Sequence, residues 1–179
     1  MRIGRMKIDR MTNPIGFAHN KPVLSYVVEE STGRTLKNAR VQVAKDEAFQ
    51  DIVFDSGIIE SINSASYPLP LKPESCTRYY WKVWVTADNG DTAESDTAYF
   101  ETGRQASEFA GRFISCEKEG LSCNFRKSFY VMKEIKQVRA YACALGLYEL
   151  HINGEKAGSE FLAPGCNDYD SWMQTQTYD

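Results

Sequence analysis

The sequence lacks any surplus of positive charge. Lys and Arg number 21 against 24 Asp and Glu in 179 residues, a formal net charge of −3. With a pI near 5.5, this excludes the basic patch that a nucleic-acid-binding domain presents to phosphates. Long apolar runs are also missing. None approaches the roughly 18 residues of a membrane span, so no membrane partner is expected. Residues 1–10 show neither the apolar stretch nor the small-residue cleavage site of a signal peptide, which predicts a cytoplasmic chain. No Asn-x-Ser/Thr acceptor occurs. Histidine is scarce: only His19 and His151 are present, neither with an orienting partner close by in sequence, so a His-based catalytic triad is not expected. The Gly-x-Ser-x-Gly elbow, the phosphate-binding loop, His-Glu-x-x-His and Gly-x-Gly-x-x-Gly are all absent, and no cofactor is expected.

Five cysteines are present, an odd number, and no Cys-x-x-Cys pair occurs. A zinc site wants close pairs of thiolates or imidazoles. Cys116 and Cys123 are the nearest pair, with six residues between them. The expectation is free buried thiols and no metal, with a disulfide or metal site as the alternative.

What the sequence does have is strand patterning. Hydrophobic residues make up 42% and charged residues 25%, the balance of an ordinary folded domain rather than a disordered chain. The dominant period is two. Strands are predicted over residues 23–28, 40–44 and 51–54, with a resumption at Ile58-Ile59, and then over 78–87 and 97–102. Asp88-Asn89-Gly90-Asp91 is a turn of the type that tolerates positive φ. Short strands separated by turn signals predict a β-sandwich. Only 46–50 and 106–111 look locally helical. Within 78–87, Tyr79, Trp81, Val83, Val85 and Ala87 share one face and should point inward. Tyr80 and Trp84 fall on the other.

Composition changes after Gly103, and 104–108 is polar like a linker. Further strands are predicted at 125–131, 137–145, 147–152 and 173–178. Asn153-Gly154 is a two-residue hairpin signal. Residues 168–172 form a polar–aromatic loop. This second segment has about four strands and stops in mid-strand at Asp179, so an incomplete second sheet is expected, one that needs a partner. Carboxylate pairs occur at Glu29-Glu30, Asp168/Asp170 and Glu117/Glu119. Glycoside hydrolysis needs only two such groups, but adjacent acids on strands and loops read as solvated charges.

Several blocks, taken in order, resemble the N-terminal region of bacterial α-L-rhamnosidases. They are Asn13-Pro14-Ile15-Gly16, Phe54-Asp55-Ser56-Gly57, Tyr79-Tyr80-Trp81-Lys82-Val83-Trp84-Val85, Asp88-Asn89-Gly90 and Phe100-Glu101-Thr102-Gly103. They continue with the run from Gly146 through His151-Ile152-Asn153-Gly154 to Gly158, and with Leu162-Ala163-Pro164-Gly165-Cys166-Asn167-Asp168-Tyr169 through Tyr178-Asp179. Two departures stand out: Cys166 where the family tends to have Trp, and Phe113-Ile114 where Trp-Ile is usual.

The resemblance implies an all-β chain. A fibronectin-type-III-like β-sandwich at 6–103 would precede the first part of a jelly-roll (galactose-binding-like) β-sandwich at 109–179. It implies a non-catalytic N-terminal fragment of an inverting glycoside hydrolase. The parent would act on terminal α-L-rhamnosides, and this part would support and orient an (α/α)₆ catalytic barrel. No catalytic residue can be carried over, and the chain alone is expected to be inactive. The alternative is a free-standing carbohydrate-binding or protein-interaction module. Its sugar contacts would be Trp172 and Tyr169 with Asp168, next to Asn167. Unpaired strand edges in the second segment predict association between copies.

Overall fold

The computed structural model describes every residue except 118, 119 and 121. It divides into two units, Met1–Gln105 and Ala106–Asp179.

The first unit is a two-sheet sandwich. One sheet has the order β1-β3-β6, from β1 (Arg2–Ile8), β3 (Val23–Glu29) and β6 (Tyr67–Pro68). The other runs β2-β9-β7-β4-β5, from β2 (Ile15–Phe17), β9 (Ala98–Thr102), β7 (Arg78–Ala87), β4 (Leu36–Ala44) and β5 (Ile52–Asp55). A short strand, β8 (Thr92–Glu94), pairs with β7 beyond β9. The alternation predicted for 78–87 holds at every position. Tyr79, Trp81, Val83, Val85 and Ala87 are buried, and the residues between them are half-exposed. The core joins these side chains to Ile3, Ile8, Leu24, Tyr26, Val41, Val43 and Phe100 from the facing and neighbouring strands.

Two irregularities set the register. In β1 one extra residue lies between the pairs Gly4↔Val27 and Lys7↔Ser25, and Arg5 takes φ 50° there. A side-chain period of two would place Ile3 and Ile8 on opposite faces. The bulge shifts the phase by one, so that both point into the core. In the return from β8 to β9, Ser95 keeps the ladder to β7 closed. Its N–H donates to the Val83 carbonyl at 2.9 Å, and its Oγ accepts the Val83 N–H at 3.0 Å.

In the second unit the strands are short. β10 (Ala140–Cys143) pairs with β13 (Thr175–Tyr178), and β11 (His151–Ile152) pairs with β12 (Glu155–Lys156) across the Asn153-Gly154 turn. Asn153 at φ 53° and Gly154 at φ 90° give the two left-handed residues this hairpin requires.

Several expectations are corrected. Residues 125–131 form no strand: their alternation is strand-like, but no neighbouring strand offers a ladder, and a strand exists only through its pairing. The 137–145 and 147–152 predictions shrink to β10 and β11 for the same reason. Residues 46–50 form no helix but a turn held by Asp46, whose carboxylate accepts the Gln50 and Asp51 N–H groups at 3.1 and 2.6 Å. These bonds hold the Asp46 carboxyl below its ordinary value. Of 106–111, only Ala106–Glu108 makes a 3-10 turn. Nor are the cysteines a set of free buried thiols. Cys116 and Cys123 are joined in a disulfide with Cα atoms 6.3 Å apart, a span a bridge accommodates. Cys76 and Cys166 are exposed and Cys143 is half-buried. No helix among the described residues is long and apolar enough to cross a membrane.

Candidate functional site

The blocks that made the sequence look specific are fold-holding devices. Asn13 Oδ1 accepts the Tyr99 N–H at 3.0 Å, and the Pro14 carbonyl accepts the Glu101 N–H at 2.9 Å. These contacts seat β2 parallel to β9. Gly103 then passes so near Gly16 that a Cβ on it would lie 2.2 Å from the Gly16 carbonyl oxygen. Only glycine fits there. Asp55 binds the guanidinium of Arg40 through both oxygens, with the Nε contact at 2.9 Å. It also accepts from Gln42 Nε2 at 2.8 Å and from the Gly57 N–H at 2.9 Å. The Arg40 bond is the main reason its carboxyl sits well below the usual carboxylate range. Asp88 accepts the Arg34 N–H at 3.0 Å and the Thr35 hydroxyl at 3.1 Å, tying the β3–β4 loop to the β7–β8 turn.

The outer face of β7 is not a bare aromatic platform. The Arg40 guanidinium lies 5.8 Å over the Trp84 ring, and Arg78 lies 4.4 Å over Tyr99. Tyr80 and Tyr99 stand opposite each other with ring centroids 6.4 Å apart. Arg78 also pairs with buried Glu101 at 2.8 Å. Cation–π contacts of this kind occupy the ring faces that a sugar would need.

Both histidines have carboxylate partners, which corrects the expectation of none close by in sequence for His151, whose partner Glu149 is two residues away, while that of His19 lies ten positions earlier. His19 Nδ1 lies 2.6 Å from Asp9 Oδ2, between Phe17 and Phe100. Its side chain is only 1% exposed, which closes it to any substrate. Asp9 is held in turn by the Val23 N–H at 2.8 Å. His151 Nε2 lies 3.2 Å from Glu149 on an exposed hairpin, with Lys156 Nζ 3.0 Å from the same carboxylate. Lys156 is the main cause of a lowered Glu149 pKa. Of the carboxylate pairs, Glu29 is engaged by Arg2 and Arg5, while Glu119 lies outside the described residues. Among the described residues no three His, Cys, Asp or Glu side chains gather closely enough to hold a metal ion.

Asp168, Tyr169 and Trp172 stand together on one turn. The Asp168 carbonyl accepts the N–H groups of Ser171 and Trp172 at 2.9 and 2.8 Å, and its carboxylate accepts the Ser171 hydroxyl at 2.7 Å. The Tyr169 hydroxyl accepts the Gly146 N–H at 2.6 Å, which anchors the turn to the segment after β10. Trp172 remains 55% exposed and Tyr169 43%. Asn167 Nδ2 is buried with no protein partner. The turn thus shows two rings and a carboxylate to solvent, and part of that carboxylate is engaged. An open cleft of about 540 Å³ lies elsewhere, in the first unit, among Arg5, Lys7, Ser25, Val27 and Ser64. It shares no residue with the turn.

Comparison with known proteins agrees with the two-unit division. Residues 3–106 match the Rha78A-like, N-terminal immunoglobulin domain, and residues 133–179 match the α-L-rhamnosidase N-terminal domain. An α-L-rhamnosidase of Formosa agariphila is 27% identical over 98% of this chain, which covers 22% of that protein. The structure of α-L-rhamnosidase from Dictyoglumus thermophilum superposes with a TM-score of 0.86 at 27% identity, over 100% of this chain and 23% of that one. The Streptomyces avermitilis α-L-rhamnosidase complexed with L-rhamnose matches 64% of this chain and 12% of its own, with a TM-score of 0.58 at 28% identity. The chain therefore spans less than a quarter of the length of these relatives. Its all-β fold and the match over more than half its length place it in the family of Rha78A-like N-terminal immunoglobulin domains, within the N-terminal region of α-L-rhamnosidases.

Proposed function

We propose that this chain is the non-catalytic N-terminal part of an enzyme that removes terminal α-L-rhamnosyl groups from glycosides. Residues 6–103 serve as a fibronectin-type-III-like support, and residues 109–179 are the opening strands of a jelly roll. Together they hold and orient a separate catalytic barrel. The observation that carries this reading is the ordered match of both stretches to rhamnosidase N-terminal domains. The chemistry agrees. Glycoside hydrolysis needs two carboxyl groups flanking one bond, and the acids described above are tied to cations, caps and turns.

The test is a graft. The matching N-terminal stretch of the Dictyoglumus enzyme is replaced by residues 1–179, and hydrolysis of an aryl α-L-rhamnoside is compared with that of the isolated chain. The graft is expected to be active and the isolated chain inert. Turnover by the isolated chain, or a folded but inactive graft, overturns the proposal.

A second reading is favoured by the exposed rings of Trp172 and Tyr169 beside Asp168: a carbohydrate-contacting turn. Aromatic rings with adjacent hydrogen-bonding groups suit the apolar face and hydroxyl rim of a sugar. Titration with L-rhamnose, followed by calorimetry and repeated with Trp172→Ala, tests it. Saturable binding lost in the variant supports it, and binding unchanged in the variant rejects it.

A further inference from the structure

Many polar side chains of the first unit are tied to one another, as Asp55, Asp88 and Glu101 are. Four groups are not, and all four belong to residues lining one place, the open cleft of about 540 Å³ beside β3. The Tyr26 hydroxyl is buried without a partner, on a residue only 2% exposed. Among the described residues, no hydrogen bond or ion pair engages the Lys7 ammonium or the hydroxyls of Ser25 and Ser64. A buried hydroxyl without a partner is costly to keep. Burial pushes the Tyr26 pKa up to about 12, so at neutral pH the group is an uncharged donor.

The backbone explains why these groups converge. The β1 bulge lies between the pairs Gly4↔Val27 and Lys7↔Ser25. Lys7 therefore stands directly opposite Ser25, on the same face of the sheet. On the β6 side of β3, ladder pairing stops at Val23 and Leu24. Beyond it the Tyr26 N–H donates to the Ser64 carbonyl at 2.9 Å, which seats Ser64 along the strand. Arg5 also lines the cleft, but Glu29 lies 3.5 Å from its Nε, so Lys7 is the cation left for a ligand. The rest of the lining is apolar: Val27, Val28, Leu36 and Ala65.

One cation, three hydroxyls and an apolar floor suit a ligand with one negative charge, several hydroxyls and a C–H face. That is a sugar acid. A bare inorganic anion would engage Lys7 and leave the apolar lining wet, and a neutral sugar would leave Lys7 unused. The volume lies in the range of small-molecule sites. Every lining residue falls inside the 3–106 match, and none comes from the second unit.

We infer that this cleft of the first unit binds a hexuronate, its carboxylate on Lys7 and its hydroxyls on Tyr26, Ser25 and Ser64. The inference does not rest on the proposed enzymatic role, and the site is separate from the turn that holds Trp172.

The test is calorimetric titration of the full chain with sodium D-glucuronate, D-glucose and sodium sulfate, each up to about 50 mM. It is repeated with Lys7→Gln, with Tyr26→Phe, and with Lys72→Gln, a control at an exposed cation outside the cleft. Thermal melts check the fold. Tyr26→Phe removes only the unpartnered hydroxyl and should melt no lower than the parent. The expected result is saturable glucuronate binding, weakened about tenfold by Lys7→Gln, about threefold by Tyr26→Phe and not at all by Lys72→Gln. Glucose should bind about tenfold more weakly than glucuronate. Three results overturn the inference: no saturable glucuronate binding, binding indifferent to Lys7→Gln or to Tyr26→Phe in a folded variant, or sulfate bound as tightly as glucuronate, which reduces the cleft to a simple anion contact.

Discussion

The two units are made of similar residues and solve different problems. The first closes. Among the described residues it has 16 buried hydrophobic side chains and four large exposed ones, because two sheets face each other and each covers the other's apolar side. Among the described residues the second has strands without a second layer, and the ratio is reversed. The lesson is that alternation supplies a face but does not cover it. Edges are treated differently as well. In the first unit β1 is an edge strand broken by a bulge and lined by Arg2, Arg5 and Lys7, and the opposite edge strand β6 contains Pro68. Both are devices that discourage added strands. The β10–β13 edges show no such bulge or proline.

The comparison is broken most easily at its tryptophans. Trp81→Ala removes a large ring that is 1% exposed and should cost about 3–5 kcal/mol, whereas Trp172→Ala should leave the unfolding midpoint within about 0.5 kcal/mol. Urea titration followed by circular dichroism measures both, and equal losses would refute the contrast between the units. Next comes glycine. Gly103→Ala forces a Cβ against the Gly16 carbonyl and should destabilise the first unit by about 2 kcal/mol or more. Gly154→Ala meets nothing within 4 Å and suffers only from φ +90°, a cost of about 1 kcal/mol. Thermal melts of the two variants should rank them in that order.

Acid gives a smaller effect. Asp55 has its folded-state pKa depressed below 3.8, chiefly by Arg40. Its contribution is therefore fully present above about pH 4 and is lost as the pH falls below that value. With a third of its side chain exposed, it is worth about 1 kcal/mol. Asp55→Asn should lower the melting temperature at pH 7 and flatten its decline between pH 4 and 2. Parallel pH curves for variant and parent would contradict this. Smallest of all is Glu149→Gln in the second unit. The Glu149 pKa is also lowered, by Lys156 and His151, but the group is solvent-bathed, and no change in stability is expected in the same melts.

Legibility followed regularity. The strand β7 could be read because ten residues alternate without a slip. β1 could not be, because the bulge at Arg5 separates Ile3 from Ile8 by five residues and destroys the period in the sequence while preserving it in space. Residues 125–131 misled in the opposite way: their pattern is intact, but a ladder needs a neighbour that no single segment encodes. The Asn153-Gly154 hairpin and the turn holding Asp168, Tyr169 and Trp172 were visible because each is contiguous. The Asp9–His19 pair was not, since nine residues, a parallel strand among them, intervene. The signal that would have flagged it is the run of left-handed residues at Asp9, Arg10, Asn13 and His19, which brings the chain back on itself. Neither Asp nor His announces such a run in sequence.

The three tryptophans also make the molecule its own spectrometer. Trp81 is sealed in the core, Trp84 lies beneath the Arg40 guanidinium, and Trp172 stands in water. Emission should therefore separate into a blue component that iodide cannot quench and a red component that it can. The blue component follows the sandwich and the red one the second unit, so a single unlabelled sample reports the state of both parts during unfolding, assembly or sugar titration.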